Sequence, residues 1–128
     1  MFFILMITNS IAILIPVFNG IELTKKCIKQ LKNKISSISK NVGEFRIIII
    51  DDGSKDGTEG WIRKNHSDIT ILKGDGNLWW SGGINKAIKY ILENDFANYT
   101  LWWNNDIVAG EFYFNELVRL IAESDKTT

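Results

Sequence analysis

Short unbroken apolar runs alternate along this chain with stretches of helical period, and that alternation constrains the fold more than any other feature. Ile11-Ala12-Ile13-Leu14-Ile15 contains no polar residue, as a strand buried on both faces requires. Pro16-Val17-Phe18-Asn19-Gly20 follows with turn chemistry. Ile21, Ile28, Leu31, Ile35 and Ile38 then recur at helical spacing, with lysines between them, until Asn41-Val42-Gly43 stops the pattern. Phe45 to Ile50 reads as a second buried strand, Thr58 to Asn65 as a short helix and Ile69 to Lys73 as a third strand. Ile84, Ala87, Ile88, Ile91 and Leu92 fit one face of an amphipathic helix. Tyr99 to Trp103 reads as a fourth strand, and Phe114, Leu117, Val118 and Ile121 mark a last helix. The alternation predicts an α/β chain: a Rossmann-like, three-layer α/β/α arrangement with a mostly parallel sheet and right-handed crossovers. Residues 1–128 are expected to form a single domain, since no repeat or linker interrupts the pattern.

Composition removes several functions. Fifteen Lys and Arg balance fifteen Asp and Glu, which argues against a general nucleic-acid binder, because that binding rests on excess positive charge. A single cysteine, Cys27, excludes an internal disulfide and any Cys-cluster zinc site. Residues 1–10 form an apolar leader without an assigned role; Thr8-Asn9-Ser10 interrupts it, far short of the ~20 residues that cross a bilayer. With no basic segment before it and no small-residue cleavage site after it, a secretory signal is not expected. A cytoplasmic chain is. Lys25, Lys26, Lys29 and Lys32 make a basic stripe on the first helix; it reads first as a solvated face and second as peripheral contact with the inner face of an anionic membrane.

Ligands of parallel sheets bind beyond the carboxyl ends of the strands, at a switch in strand order. The sequence gathers polar and glycine-rich residues there. After the second strand come Asp51-Asp52-Gly53-Ser54-Lys55-Asp56-Gly57-Thr58. A carboxylate at that point can accept the N3–H of a uracil or thymine ring, or it can close the turn and cap the next helix. With two adjacent carboxylates both can hold, because successive residues of an extended chain point opposite ways. Asp56 and Thr58 are assigned to structure, with one or the other capping the short helix. After the third strand, Gly74-Asp75-Gly76-Asn77 runs into Trp79-Trp80-Ser81-Gly82-Gly83-Ile84-Asn85. Glycines there allow close backbone approach to a ligand, yet the segment matches neither the P-loop nor the dinucleotide fingerprint, which removes a dinucleotide-dependent oxidoreductase. Of the tryptophan pairs Trp79-Trp80 and Trp102-Trp103, strand alternation predicts one core member each, with the other free to wall a pocket. After the fourth strand comes Asn104-Asn105-Asp106; its carboxylate either closes an Asx turn or binds a hard cation whose other ligands are phosphate oxygens. His66 is expected as a solvated surface residue and Cys27 as packing.

Taken together, Ile15-Pro16-Val17-Phe18-Asn19, Asp51 to Thr58, Gly76-Asn77 through Asn85 and Trp103 to Asp106 resemble the family 2 glycosyltransferases of the GT-A fold. The resemblance covers roughly residues 11–120. The Asn-Asn-Asp form of the metal motif is similar to the rhamnosyltransferase-type branch and points to a UDP- or dTDP-linked sugar. The resemblance implies a nucleotide- and sugar-binding set of Pro16, Phe18, Asp51, Asp52, Ser54, Gly82, Gly83, Asn85 and Asn105. On the residues alone Phe18 fits a loop-core contact as well as a stack on a flat base; by the resemblance it would stack on or flank the base, Asp52 would read it, Asn105 would face the ribose or sugar, and Gly82, Gly83 and Asn85 would border the donor sugar. Asp106 is implied to hold Mg2+ or Mn2+ on the diphosphate. The implied reaction is inverting transfer from a nucleoside-diphosphate sugar to a saccharide or lipid-linked acceptor, as in polysaccharide biosynthesis. In that family the carboxylate base lies in an acceptor-binding half, and this sequence ends 22 residues after Asp106. No catalytic base is therefore assigned, and a donor-binding half is expected. The alternative is a non-catalytic nucleotide-sugar-binding or interaction module on the same fold.

Overall fold

The structure, a computed structural model, describes residues 9–125. Its elements run β1 (Ser10–Val17), α1 (Ile21–Ile35), β2 (Glu44–Asp51), α2 (Thr58–Asn65), β3 (Thr70–Lys73), α3 (Trp79–Asn94), β4 (Tyr99–Trp102) and α4 (Tyr113–Asp125). The strands form one sheet in the order β3-β2-β1-β4, and every pairing is parallel. β1 and β2 are central and pair from Ser10 opposite Glu44 to Val17 opposite Asp51. Central position explains their unbroken apolar runs: both faces are covered, so Ile11 to Ile15 and Ile47 to Ile50 are all buried. The edge strands β3 and β4 have four residues each and stay partly exposed.

Strand alternation sorts the core into two layers. Ile13, Ile15, Val17, Ile47 and Ile49 pack with Cys27, Ile28 and Leu31 of α1, Ile62 of α2 and Phe114 of α4. Ala12, Leu14, Ile48 and Ile50 face the other way, onto Ile84, Ala87 and Ile91 of α3. Chain direction explains the split. From β1 to β2 to β3 the chain steps outward in one direction, with α1 and α2 on one face. It then returns across the sheet to β4, so a right-handed crossover puts α3 on the opposite face. The reversal lies between β1 and β4. This is the expected three-layer α/β/α architecture.

Several details differ from the sequence reading. α1 ends at Ile35, before the Ile38 of its predicted pattern, and β4 at Trp102, one residue short of Trp103. α3 begins at Trp79, a full turn before its apolar stripe, because the first turn borders solvent and needs no buried face. Leu92 belongs to the predicted stripe but is 77% exposed; at 100° per residue it has drifted off the buried side. Of the apolar leader, residues 1–8 lie outside the described residues, and Ser10 already belongs to β1. No helix among the described residues is long and apolar enough to cross a membrane.

Candidate functional site

The carboxyl ends of β1 and β2 and the first turns of α3 enclose a cleft of about 350 Å3. Pro16, Val17 and Phe18 line it from the end of β1, Ile50 and Asp52 from β2, and Gly76, Trp79, Trp80 and Gly83 from α3 and the loop before it. Gly83 lets the helix come close: a Cβ there would stand 3.4 Å from Pro16 Cβ and 3.5 Å from Ile50 Cγ2. The walls are therefore largely apolar and aromatic, with one carboxylate among them.

Asp51 and Asp52 divide two tasks, as opposite directions along an extended chain allow. Asp51 is buried and accepts the Ser54 backbone N–H at 2.9 Å. Ser54 Oγ in turn accepts the Asn19 N–H at 2.7 Å, and Asn19 Oδ1 accepts the Lys55 N–H at 2.9 Å. This reciprocal stitching fixes the β1 and β2 loops against each other, so Asp51 and Ser54 build the rim behind the cleft. Asp52 lines the cleft itself. Its Oδ1 accepts the Gly76 N–H at 2.8 Å, while Oδ2 accepts those of Leu78 at 3.0 Å and Trp79 at 3.1 Å. Burial alone pushes the Asp52 carboxyl up, but these N–H groups at the start of α3 outweigh it and hold the carboxyl below the usual range. Gly74 makes room for that carboxylate, since a Cβ there would lie 2.5 Å from Asp52 Oδ1.

Asp56 performs a third task. Its Oδ2 accepts the Ile21 N–H at 2.9 Å and its Oδ1 the Thr58 N–H at 3.2 Å. The N-cap residues of α1 and α2 are Gly20 and Gly57, neither of which has a side chain to cap with. One carboxylate serves both helix starts.

Trp79 and Trp80 depart from the strand-alternation expectation. Both stand in the first turn of α3, where alternation does not apply, and neither enters the core: Trp79 is 78% and Trp80 44% exposed. Trp79 also has a left-handed backbone, with φ 56°. The Trp80 indole N–H donates to Asn104 Oδ1 at 2.8 Å, and its ring meets Trp102 edge-on at 5.7 Å. The other pair follows alternation, with Trp103 in the core and Trp102 half exposed. The signal that could have placed the first pair in the cleft was its setting, between glycines rather than in an apolar run.

Not every predicted site residue meets at this cleft. Pro16, Phe18, Asp52 and Gly83 line it together. Gly82 faces Leu78, and Asn85 is exposed on α3 outside the lining. Asn105 turns toward α1, its Nδ2 donating to Thr24 Oγ1 at 3.3 Å. Asp106 borders a separate hollow of about 110 Å3 with Lys26, Cys27 and Gln30. There the Cys27 thiol is pushed up to about 11 by burial and by the Asp106 charge, against a smaller opposing pull from the Trp103 indole. Among the described residues, no three His, Cys, Asp or Glu side chains come together to hold a metal. With Asn104 Oδ1 engaged by Trp80, the remaining donors are the Asp106 carboxylate and the Asn105 amide oxygen. That set fits a hard cation only when phosphate oxygens and waters supply its other ligands.

The lysine stripe of α1 flanks Trp61 and His66. Lys25 sits over the Trp61 ring at 5.4 Å and Lys32 pairs with Asp68 at 2.7 Å. His66 is not a free surface residue: its ring packs 5.1 Å from Trp61, and burial and the Lys32 charge lower its pKa against a smaller pull from Asp68.

Residues 12–127 match the family model for glycosyl transferase family 2. An uncharacterized glycosyltransferase of Rickettsia typhi is 28% identical over 99 residues, 75% of this chain and 27% of the relative. Among solved structures, a mannosyltransferase of Pyrobaculum calidifontis in complex with GDP-Man and Mn2+ superposes with a TM-score of 0.68 at 14% identity, over 89% of this chain and 32% of that one. S. aureus TarS 1-349 in complex with UDP-GlcNAc gives a TM-score of 0.67 at 17% identity, over 89% and 31%. The chain thus spans about a quarter to a third of the length of these relatives.

Proposed function

This chain belongs to glycosyl transferase family 2, and from that premise we propose that its cleft binds the nucleotide of a UDP- or dTDP-linked sugar. One observation carries the reading: loops from β1, β2 and β3 converge on an aromatic-walled cleft that holds a single ionised carboxylate. A flat base suits the walls, with Phe18 flanking it. Asp52 can read the base as well as hold the loop. Its two oxygens offer about four acceptor sites; the N–H groups of Gly76 and Trp79 take one each, and the Leu78 N–H is shared between both oxygens, at 3.2 Å to Oδ1 and 3.0 Å to Oδ2. The N3–H of uracil or thymine would take the place of the longer Leu78 arm on Oδ1. The solved structure of similar fold that holds UDP-GlcNAc supports a uridine donor, and the one that holds GDP-Man and Mn2+ supports only the broader class of nucleoside-diphosphate sugar with a divalent cation.

Asp106 and the Asn105 amide oxygen would hold Mg2+ or Mn2+, and a cation there would supply positive charge to the diphosphate of the donor. The residues of this chain bind and orient the donor. Inverting transfer to a saccharide or lipid-linked acceptor also needs a general base, a role that falls to an acceptor-binding half rather than to the residues of this cleft.

Calorimetry with UDP, dTDP, GDP and NAD, each with and without Mn2+, tests the reading. The expected result is a preference for UDP or dTDP, weakened about tenfold or more in Asp52→Asn and stripped of its Mn2+ dependence in Asp106→Ala. Absence of nucleotide binding by the unaltered chain would overturn the proposal.

A further inference from the structure

Asn104, the first residue of Asn104-Asn105-Asp106, does not line the hollow that Asp106 borders, and its side-chain oxygen faces an indole. Asn104 Oδ1 accepts the Trp80 Nε1–H at 2.8 Å across a separation of 24 residues. An indole N–H is a donor only, so one acceptor oxygen satisfies it. Trp102, on β4, presses on the same ring edge-on, with centroids 5.7 Å apart and planes at 67°. Two contacts, one polar and one aromatic, thus tie the Trp80 ring to the end of β4, while the ring itself lines the cleft. Without them, an indole this exposed at the start of a helix has several rotamers open to it.

We propose that Asn104 is a positioning residue, not a metal ligand, and that Trp80 is the wall of the cleft that it holds in place. The inference rests on the reading of the cleft as a nucleotide site. Asparagine suits the role because it offers an acceptor without a second negative charge beside Asp106. The hook also links the two hollows of this edge, since the strand end that carries Asp106 is the one that holds the cleft wall.

A double-mutant cycle in metal-free buffer tests the pair. Trp80→Phe keeps a ring but removes the donor, and Asn104→Ala removes the acceptor. Each is expected to weaken UDP binding about fivefold, with the double variant no weaker than either alone. Asn104→Asp keeps an acceptor oxygen and is expected to hold the Trp80 indole N–H in slow exchange with solvent, as in the unaltered chain. The gain in affinity on adding Mn2+ is expected to be the same in Asn104→Ala as in the unaltered chain. Independent losses in the cycle, or an Asn104→Ala variant that loses only the Mn2+ gain, would overturn the assignment. A nucleotide-free readout separates this failure from failure of the cleft reading. In NMR spectra of the ligand-free protein, Asn104→Ala is expected to move the Trp80 indole N–H resonance and speed its exchange with solvent. An unmoved resonance sinks the hook whatever the cleft binds, whereas a moved one with no UDP binding by the unaltered chain sinks only the nucleotide reading.

Discussion

Trp79 is held where its backbone pays for its side chain. A bulky residue at φ 56° carries a steric cost of roughly 1–2 kcal/mol. The N–H of that same residue is gripped by Asp52 Oδ2, so the strained conformation is the one that turns its indole to the cleft. Trp79→Gly removes both the strain and the wall. It is expected to raise stability by about 1 kcal/mol and the melting temperature by about 4 °C, and to weaken nucleotide binding severalfold. Calorimetric melting and nucleotide titration check the two halves separately; a lower melting temperature would show that the exposed indole packs more than it strains. Cys27 offers a second residue-scale test. With its thiol pushed up to about 11, almost no thiolate exists at pH 7.5. An aromatic disulfide reagent is expected to leave the folded chain untouched and to react once denaturant is added.

Among elements, the cleft depends on how loops are tied rather than on how strands are paired. Asp56 binds the starts of α1 and α2 with one carboxylate, so Asp56→Ala uncaps two helices at once and is expected to cost about 1–2 kcal/mol in chemical denaturation. Gly74→Ala acts on the next loop. Its Cβ collides with Leu78 and with the Asp52 carboxylate, so the loop before α3 has to shift. Overpacking of this kind costs roughly 1–3 kcal/mol, and nucleotide affinity is expected to fall with it. These ties mark the limit of what could be read beforehand. The strands were legible because burial on both faces writes itself as the unbroken runs Ile11 to Ile15 and Ile47 to Ile50. The start of α3 was not, because Trp79, Trp80 and Gly82 carry no helical period. Only tertiary contact decides that Asp52 caps that helix and that Trp80 reaches Asn104, 24 residues away. Strand-end motifs therefore gather at one edge of the sheet, but their sequence does not say which side of it each residue faces. Asn105 and Asp106 look toward α1, whereas Asn104 meets Trp80.

For the molecule as a whole, the shifted groups described here, Arg119 and Cys27 aside, share one direction. Asp52, Asp56, Glu59, Asp68 and Glu116 all have carboxyls below their ordinary range. His66 is lowered as well. For each of them the unfolded chain binds protons more readily than the folded one, so protonation favours unfolding. His66 contributes stability that is complete above its ordinary value and is lost as pH falls through its lower folded value. The carboxylates follow the same sign from about pH 4 downward. Arg119 is raised by its Glu116 and Glu123 partners, but it stays charged throughout this range. The two classes separate in pH, so melting temperature is expected to hold level from pH 8 to 7, decline gently below about 6.5 and fall steeply below about 4. Asp52→Asn removes one of the five lowered carboxyls and is expected to make the acid limb shallower while leaving the histidine limb unchanged; His66→Gln is expected to remove the histidine limb and leave the acid limb. A series of thermal melts on the three proteins decides the matter. An acid limb that stays equally steep in Asp52→Asn would mean that the grip of Asp52 on the start of α3 contributes little to folding, and that the carboxylate is held ready for the ligand alone.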